Sequence, residues 1–589
     1  MRFDRAGLGL AALLAIPMLL AQLRLPVPRL DADAVEYFSH VRSLYFDHDL
    51  DFANEFEHFG ILTRGDKRQP TITGHRRTIF SVGPALLWMP FYAAGDLVAR
   101  AQGHVEDGYS PAHIRAVTLG SLAYGVAGLL LVASVLANLV SASIARSTVL
   151  ALGYATFLYW YMVHEAAMSH ALSFFMAALV LRLWWTGRSS LSLRRALALG
   201  LCIGLAAAVR WQNGVLLLLP AATLVRTLRR DFGASIRTGV ATIASFVVGA
   251  APQMLAWKAI FGAYLLADPP HGRDFLRLDH PYLLETFFSS RHGLLYWTPL
   301  LWTGFLGYLV LVRRDRFVAV ATGLPLLAMS YVNVCSGDWW AGGSFSNRRF
   351  DSVLPFLALG MALAFDGLAR QVTRRPLLPL CAAAFAAFAW NGLLMEQYRR
   401  NLIPRDDTVS FATVAENNAT LLAGMVGTPV AWPANLVFSF QHAAPIAKYD
   451  LAVGQYLFYR QNNLGGVIDL GNERGDPGLL LEGWARPIPC GAGRCRTIES
   501  NARLLVPLDV PEALVATVRV RGAGALAMAI NGREAAVWPL DAGSFVERQV
   551  SLPAEWLVRE MNELRLTAAP GPVVVDRIVF ERVALRGVR

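Results

Sequence analysis

Residues 1–397 carry eleven apolar runs separated mostly by short turns, near 7–23, 116–138, 147–163, 168–186, 196–209, 212–225, 238–260, 294–312, 317–334, 352–369 and 376–397. Most reach the roughly 17–25 residues that a helix needs to cross a bilayer. Composition supports that solvent: hydrophobic residues make up 55% of the 589 and charged residues 16%, against about 25% charged in a soluble domain. A disordered chain, a coiled coil and an ordinary soluble enzyme are thereby excluded. The expected fold class is a multi-span α-helical membrane protein of about eleven spans, followed by a C-terminal all-β sandwich. No small-residue cleavage site follows the first run, which reads as a retained anchor and not a signal peptide.

The formal charge is +11, and the only lysines are Lys67, Lys258 and Lys448. A basic total raises nucleic acid as a partner, but a membrane protein gains such charge from its cytoplasmic loops. The arginines settle one ambiguity. Residues 79–99 are apolar enough to span but contain Gly83, Pro84, Pro90 and Gly95. If they do not cross and the N-terminus is inside, the inner turns hold Arg2 and Arg5; Arg146; Arg188, Arg194 and Arg195; Arg226, Arg229, Arg230 and Arg237; Arg313, Arg314 and Arg316; and Arg370, Arg374 and Arg375. If they cross, every later basic turn inverts, against the positive-inside rule. The segment is therefore expected to lie on or dip into the outer leaflet. The first outer loop is then 24–115. Runs 196–209 and 212–225 form a short hairpin with Arg210 at its outer tip, and everything after 397 is outside.

The expected domains are a membrane domain at 1–397, an outer helical and loop linker at 398–451, and a β-sandwich at 452–589. In the last, alternating segments read as strands at Leu504–Val510, Leu514–Arg521, Ala525–Asn531, Ala536–Pro539, Phe545–Leu552, Glu563–Ala568 and Val573–Glu581. Asn531-Gly532 is a hairpin turn signal. Cys490 and Cys495 could close a small disulfide loop in an oxidising compartment. Cys202, Cys335 and Cys381 fall in or near spans and read as packing residues.

Five polar clusters fall on the outer side of this topology. The first outer loop holds Asp31, Asp33, Glu36 and Tyr37, then Asp47, Asp49, Asp51 and Glu55. The plain reading is a solvated acidic loop; the sharper one is a general base or metal site at the membrane surface. The Asp47–Asp51 spacing fails as a calcium loop, because Phe52 and His58 stand where glycine and glutamate are needed. A looser magnesium or manganese site of oxygen ligands remains open. Arg210 heads the second cluster, with Trp211, Gln212 and Asn213; it either snorkels or binds an anion such as a lipid phosphate. The others are His164, Glu165, Ser169 and His170; Ser289 to Gly293 with Arg291 and His292; and Asp338 to Ser344 with Trp339 and Trp340, followed by Arg348 and Arg349. Tryptophans there can be interfacial anchors, but aromatic faces suit sugar rings and arginines suit phosphates.

An anchor span, an outer loop with an acidic residue four positions before a tyrosine, and a Pro-containing surface helix together resemble the GT-C integral-membrane glycosyltransferases. The nearest resemblance is to the bacterial branch of the protein O-mannosyltransferase (family 39-like) and lipid A aminoarabinose transferase group. It covers roughly residues 1–400. By position the family's catalytic aspartate is Asp33, with Tyr37 as its tyrosine. Ala34 replaces the usual acidic second residue, which keeps Asp31 open beside Asp33. Gly83-Pro84-Ala85-Leu86-Leu87 matches the surface-helix motif in part. Gly204 to Arg210 matches the span that ends in a cation, with Arg for the relatives' Lys, and His170 takes the place of a polar or acidic residue. The β-rich part looks like a galactose-binding-like jelly roll, on Leu481-Glu482-Gly483-Trp484 and Ile530-Asn531-Gly532.

The resemblance implies a polyprenyl-phosphate sugar donor and an acceptor hydroxyl on a glycan, lipid or protein, at the outer face of a bacterial inner membrane. It implies Asp33 as base, Arg210 with Arg348 or Arg349 on the phosphate, and inversion. Asp31, Glu36, Tyr37, Asp49, His170, Arg291, His292, Trp339 and Trp340 would bind substrate. No cofactor is required, though magnesium or manganese stays open. A transporter or flippase would show polar groups through both leaflets and internal repeats, and neither is seen. A non-catalytic glycan-binding membrane protein would depend on the jelly roll and not on Asp33.

Overall fold

The computed structural model describes residues 5–63, 65–67, 69–105, 107–266, 275–371, 377–459, 463–470, 478–490, 493–541 and 543–583. Arg2, Arg374 and Arg375 of the inner-turn set lie outside the described residues, as do Gly491 and Ala492 between the two cysteines. The chain divides into two compact units, Met1–Ala415 and Glu416–Arg589.

In the first unit, five described helices are long and apolar enough to cross a membrane: Gly7–Arg24, Pro111–Leu136, Phe232–Phe261, Arg316–Val334 and Arg348–Gln371. His170–Trp185 is a shorter apolar helix. The chain is an integral membrane protein. Local chemistry explains where several helices begin. Ser141, Ser192, Asp231 and Asp315 each accept a hydrogen bond from the backbone N–H three residues on, satisfying a donor that the helix leaves open. All four sit in turns that the arginines assign to the inner side.

Two expected runs are interrupted. The run 147–163 becomes Ala142–Tyr154 and Leu158–Val163. At the break, Thr156 Oγ1 donates to the Leu152 carbonyl at 2.6 Å, and Asn391 Nδ2 donates to the Thr156 carbonyl at 3.0 Å. Side chains there replace ladder bonds. The run 294–312 becomes Leu294–Trp297, a short 3-10 turn at Pro299–Leu301, and Trp302–Arg314. Pro299 has no N–H and disfavours helical geometry at Thr298. Residues 79–99 give the helix Gly83–Ala101, entered through Pro84; it is not among the five spanning candidates.

Helix contacts use glycine where backbones meet. A Cβ on Gly307 would lie 1.9 Å from the Gly360 carbonyl oxygen. That contact joins Trp302–Arg314 to Leu354–Gln371 and is of the small-residue kind that lets membrane helices approach closely. Gly307→Val is expected to separate the pair and cost about 1–3 kcal/mol or more, the usual scale of overpacking. A lowered melting temperature in detergent checks this, and an unchanged one would show that the helices slide freely.

Among the described residues, the second unit holds ten antiparallel strands: β1 Val467–Asp469, β2 Ile488–Cys490, β3 Gly493–Ile498, β4 Asn501–Leu508, β5 Leu514–Gly522, β6 Gly524–Ile530, β7 Arg533–Leu540, β8 Val546–Leu552, β9 Glu560–Ala569 and β10 Val573–Arg582. One sheet runs β2-β3-β10-β5-β8, with β1 also on β10, and the other runs β4-β9-β6-β7. Apolar residues of both sheets, among them Leu504, Val518, Met528, Leu566 and Ile578, share one buried core. Asn531 and Gly532, both at positive φ, turn β6 into β7, as the hairpin signal requires. Cys490 and Cys495 form a disulfide across the β2–β3 hairpin.

Candidate active site

A cavity of about 480 Å³ in the first unit gathers residues from sequence-distant elements. The helix Ala32–Arg42 supplies one wall. Asp31 precedes it in extended backbone, and Asp33 lies in its first turn, where the helix dipole favours a carboxylate. The rest of the helix is anchored. Ala34 to Arg42 are all buried, and Tyr37 packs against Phe80 and Trp88 with ring centroids at 4.6 and 6.4 Å.

Asp33 Oδ2 sits 2.7 Å from Arg348 Nη2. Tyr37 Oη accepts from Ser169 Oγ at 2.9 Å. Burial pushes the Tyr37 hydroxyl up to about 12, so it stays protonated at neutral pH and keeps its own O–H as a donor.

The second wall is built on Arg210. The helix Leu193–Val209 stops there because Arg210 is extended, with φ −149 and ψ 122. Asn213 Nδ2 then reaches back to the Ala206 carbonyl at 3.0 Å and fixes the turn. Arg210 Nη1 donates to Asp351 Oδ2 at 3.0 Å. With the Gln212 amide oxygen turned toward it, Arg210 also donates from Nε at 2.9 Å and from Nη2 at 3.1 Å. Asp351 is fully buried. It lies 2.7 Å from His170 Nδ1 and accepts from Ser173 Oγ at 2.9 Å. A buried carboxylate with this many partners fixes a cation and an imidazole at once.

Two further ion pairs complete the lining. Arg349 Nη2 meets Asp338 Oδ1 at 2.5 Å, and Arg405 Nη1 lies 3.9 Å from Glu165 Oε1. Each cavity arginine therefore has a carboxylate beside it. The site is a set of matched charges, and an arriving phosphate must compete for arginines already paired.

Glu165 is the exception in quality, since its Oε2 is buried without a hydrogen-bond partner among the described residues. Burial pushes its carboxyl up to about 7, against the pull of Arg348 and Arg405 and with the push of Asp31. A carboxyl raised in the folded state stabilises the fold below its unfolded value and loses that contribution as pH rises toward 7. Glu165→Gln is accordingly expected to lose less thermal stability than wild type between pH 5 and pH 8. Parallel curves for the two proteins would contradict it.

Of the catalytic and substrate-binding residues expected from the sequence, Asp31, Asp33, Tyr37, His170, Arg210, Arg348 and Arg349 line this cavity together. Six others do not, and each is engaged elsewhere. Glu36 pairs with Lys67 at 2.8 Å, both buried. Asp49 accepts from Ser43 Oγ at 2.7 Å and from the Asp51 N–H at 3.1 Å. Its neighbour Asp47 pairs with Arg42, which also holds Glu55 at 3.0 Å, so the acidic loop is cross-linked internally by an arginine. Arg291 stacks on Trp340 at 3.8 Å and pairs with Asp406 at 3.0 Å. His292 is buried beside Trp297, and burial pushes its imidazole down to about 4. Trp339 packs edge-on to Trp340 and accepts from Asn347 Nδ2 through its carbonyl.

Asp351, Gln212 and Arg405 were not singled out as substrate-binding groups. The signal for Asp351 was present, since it is an ionisable residue at the head of an apolar run. Among the described residues, the metal-ligating cluster is Cys490, Cys495 and Asp576, whose two sulfurs are already joined.

No family model matches the sequence, and no curated protein matches it. Several solved structures are similar, among them these three. ArnT from Cupriavidus metallidurans, bound to undecaprenyl phosphate, is 16% identical with a TM-score of 0.40, over 78% of this chain and 83% of that one. The arabinosyltransferase EmbB from Mycobacterium smegmatis is 12% identical with a TM-score of 0.39, over 99% of this chain and 66% of that one. The archaeal oligosaccharyltransferase AglB from Archaeoglobus fulgidus, with an inhibitory peptide and a dolichol-phosphate, is 13% identical with a TM-score of 0.36, over 71% of this chain and 54% of that one.

Proposed function

We propose that the chain is a membrane glycosyltransferase that moves a sugar from a polyprenyl-phosphate donor to an acceptor hydroxyl, with inversion, at the outer face of a bacterial inner membrane. The observation that carries this reading is the cavity itself. A carboxylate on a helix N-terminus, Asp33, faces an arginine, Arg348, beside a second arginine, Arg210, held rigid by a buried aspartate.

The chemistry suits those groups. A phosphate leaves without needing a proton, so the reaction calls for one base and for cations on the departing oxygen. Asp33 takes the acceptor's O–H proton. The acceptor oxygen forms a bond to the anomeric carbon from one face. The bond from that carbon to the phosphate oxygen breaks on the other face, and its electron pair leaves with the phosphate, against Arg210 and Arg348. A positioned base contributes about 10²–10⁴-fold, and cations aimed at developing charge contribute on a similar scale. The acceptor is a glycan, lipid or protein hydroxyl, and no step needs a metal.

The purified protein in nanodiscs, given a panel of polyprenyl-phosphate hexoses and pentoses, is expected to release free polyprenyl phosphate, and to do so equally in EDTA. Mass spectrometry of the lipid products reads this. No turnover of any donor, with no sugar-bearing polyprenyl lipid bound to the protein as purified, would sink the reading.

A further inference from the structure

Arg405 reaches the cavity from a stretch of chain that the transfer chemistry leaves unused. Residues 401–410 follow the helix Leu377–Arg399 and form neither helix nor strand. A connecting segment of this kind is mobile unless it is tied down, and here it is tied. Asp406 pairs with Arg291 at 3.0 Å, and that arginine stacks on Trp340. The Val409 carbonyl accepts from Tyr296 Oη at 3.2 Å. Arg405 itself donates from Nε to Asn401 Oδ1 at 2.9 Å and lies over the Tyr398 ring at 4.8 Å. Arg291 and Trp340 stand away from the cavity wall, and they hold the strap that carries Arg405 to it.

Glu165 stands 3.9 Å from Arg405 Nη1, too far for a hydrogen bond. Its side chain is partly open to the cavity, yet Oε2 is buried and has no hydrogen-bond partner among the described residues; nor has Tyr398 Oη, under Arg405. Native folds rarely leave such atoms unmet without a cause. Burial pushes the Glu165 carboxyl up to about 7, and O–H donors would favour its charged form again. The cavity wall thus offers acceptor lone pairs on Glu165 beside N–H donors on Arg405.

Hydroxyl groups match that pair, because each can donate to one residue and accept from the other. A charged substituent matches it less well. Glu165 offsets Arg405, and Asp33 offsets Arg348, so no charge is left over for a carboxylate or an ammonium. Position points to the donor. The cation that acts most strongly on Glu165 is Arg348, which also meets the departing phosphate. The ring joined to that phosphate is the part of the donor brought to Glu165.

We propose, resting on the glycosyltransferase reading, that Glu165 and Arg405 form the subsite that reads the donor's sugar, binding neighbouring hydroxyls of an uncharged hexose or pentose. A site built to hydrogen-bond a hydroxyl discriminates strongly against a ligand that lacks it, so these two residues set which sugar is accepted.

Equilibrium binding to the full chain in nanodiscs compares bare polyprenyl phosphate with polyprenyl-phosphate hexoses and pentoses, for wild type, Glu165→Ala and Arg405→Ala. At least one sugar-bearing lipid is expected to bind wild type more tightly than the bare lipid. In each variant that advantage is expected to shrink about 10-fold or more, the loss of a hydrogen bond to a charged group. Bare polyprenyl phosphate is expected to bind both variants as it binds wild type, which also shows that they are folded. The Arg405 side chain is 49% exposed, so Arg405→Ala decides the matter if Glu165→Ala does not fold. Equal weakening of both kinds of lipid would overturn the proposal by showing that the pair supports Arg348 or the fold. An unchanged advantage would overturn it as well: with normal transfer water fills the gap, and with lost transfer the pair serves the acceptor. A wild type that binds the bare lipid and gains nothing from any uncharged sugar overturns this subsite alone. One that binds neither kind of lipid overturns the transferase reading together with it.

Discussion

Asp33→Asn is expected to lower sugar transfer about 10²–10⁴-fold, the range that a positioned base supplies, while donor affinity stays within a few-fold of wild type. Asparagine has nearly the same shape and cannot take the acceptor's proton. It also removes the negative charge that holds Arg348 at 2.7 Å, so Arg348 becomes freer to meet a phosphate. Donor binding therefore holds or tightens while the chemical step fails. A substitution that merely damaged the fold would lower both.

Asp31 provides the control. It lies at the cavity too, but it precedes the helix, is exposed and caps no backbone N–H with its side chain. Asp31→Asn is expected to transfer at close to the wild-type rate. Single-turnover release of polyprenyl phosphate gives the rate, and equilibrium binding of the unreacted donor gives the affinity. If Asp33→Asn transfers normally and Asp31→Asn does not, the two residues exchange roles. If both transfer normally, the cavity's chemistry lies elsewhere.

The contrast between Asp33 and Asp49 shows how far the sequence reaches. Both are aspartates in the first outer loop, and apart from the resemblance through Tyr37 nothing in the sequence separates them. The difference comes from tertiary contacts: Arg42 and Ser43 absorb the later carboxylates into a local network, and Asp33 alone meets an arginine from more than three hundred residues away. Arg291 and Arg348 differ in the same way. Each precedes an apolar run, but Arg291 is taken by Trp340 and Asp406.

Patterns with a local cause were legible. Most strands after residue 500 follow their alternation, and the Asn531-Gly532 hairpin follows from its two positive-φ positions. The breaks at Thr156 and Thr298 were not. At the first, an apolar run hides a threonine whose side chain replaces the ladder. At the second, Pro299 gave a signal that hydropathy outweighed.

Asp351→Asn is expected to weaken donor binding about 10–150-fold, the equivalent of losing a charge-assisted hydrogen bond worth about 1.5–3 kcal/mol. Asp351 has no exposed surface and acts only through its partners. One oxygen, Oδ2, serves both Arg210 and His170, and the other accepts from Ser173. An asparagine amide retains one acceptor and turns a donor toward groups that are themselves donors. Arg210 then keeps Gln212 and the His170 Nδ1 contact at 2.8 Å but loses its counter-charge, and swings away from the geometry that meets a phosphate. Asp351→Ala is harsher. It leaves the guanidinium without a counter-charge and the imidazole without its hydrogen-bond partner in a buried setting, where breaking a buried ion pair costs about 3–5 kcal/mol, so that protein is expected to unfold at lower temperature as well.

The coupling separates positioning from structure. Donor affinity is measured for Asp351→Asn, Arg210→Ala and the double variant. If Asp351 works by holding Arg210, the double variant is little weaker than Arg210→Ala alone, because the second change has nothing left to disturb. If the two losses simply add, Asp351 supports the fold and not the arginine. In that case the rigid cation on which the leaving phosphate depends has to be found among Arg348, Arg349 and Arg405.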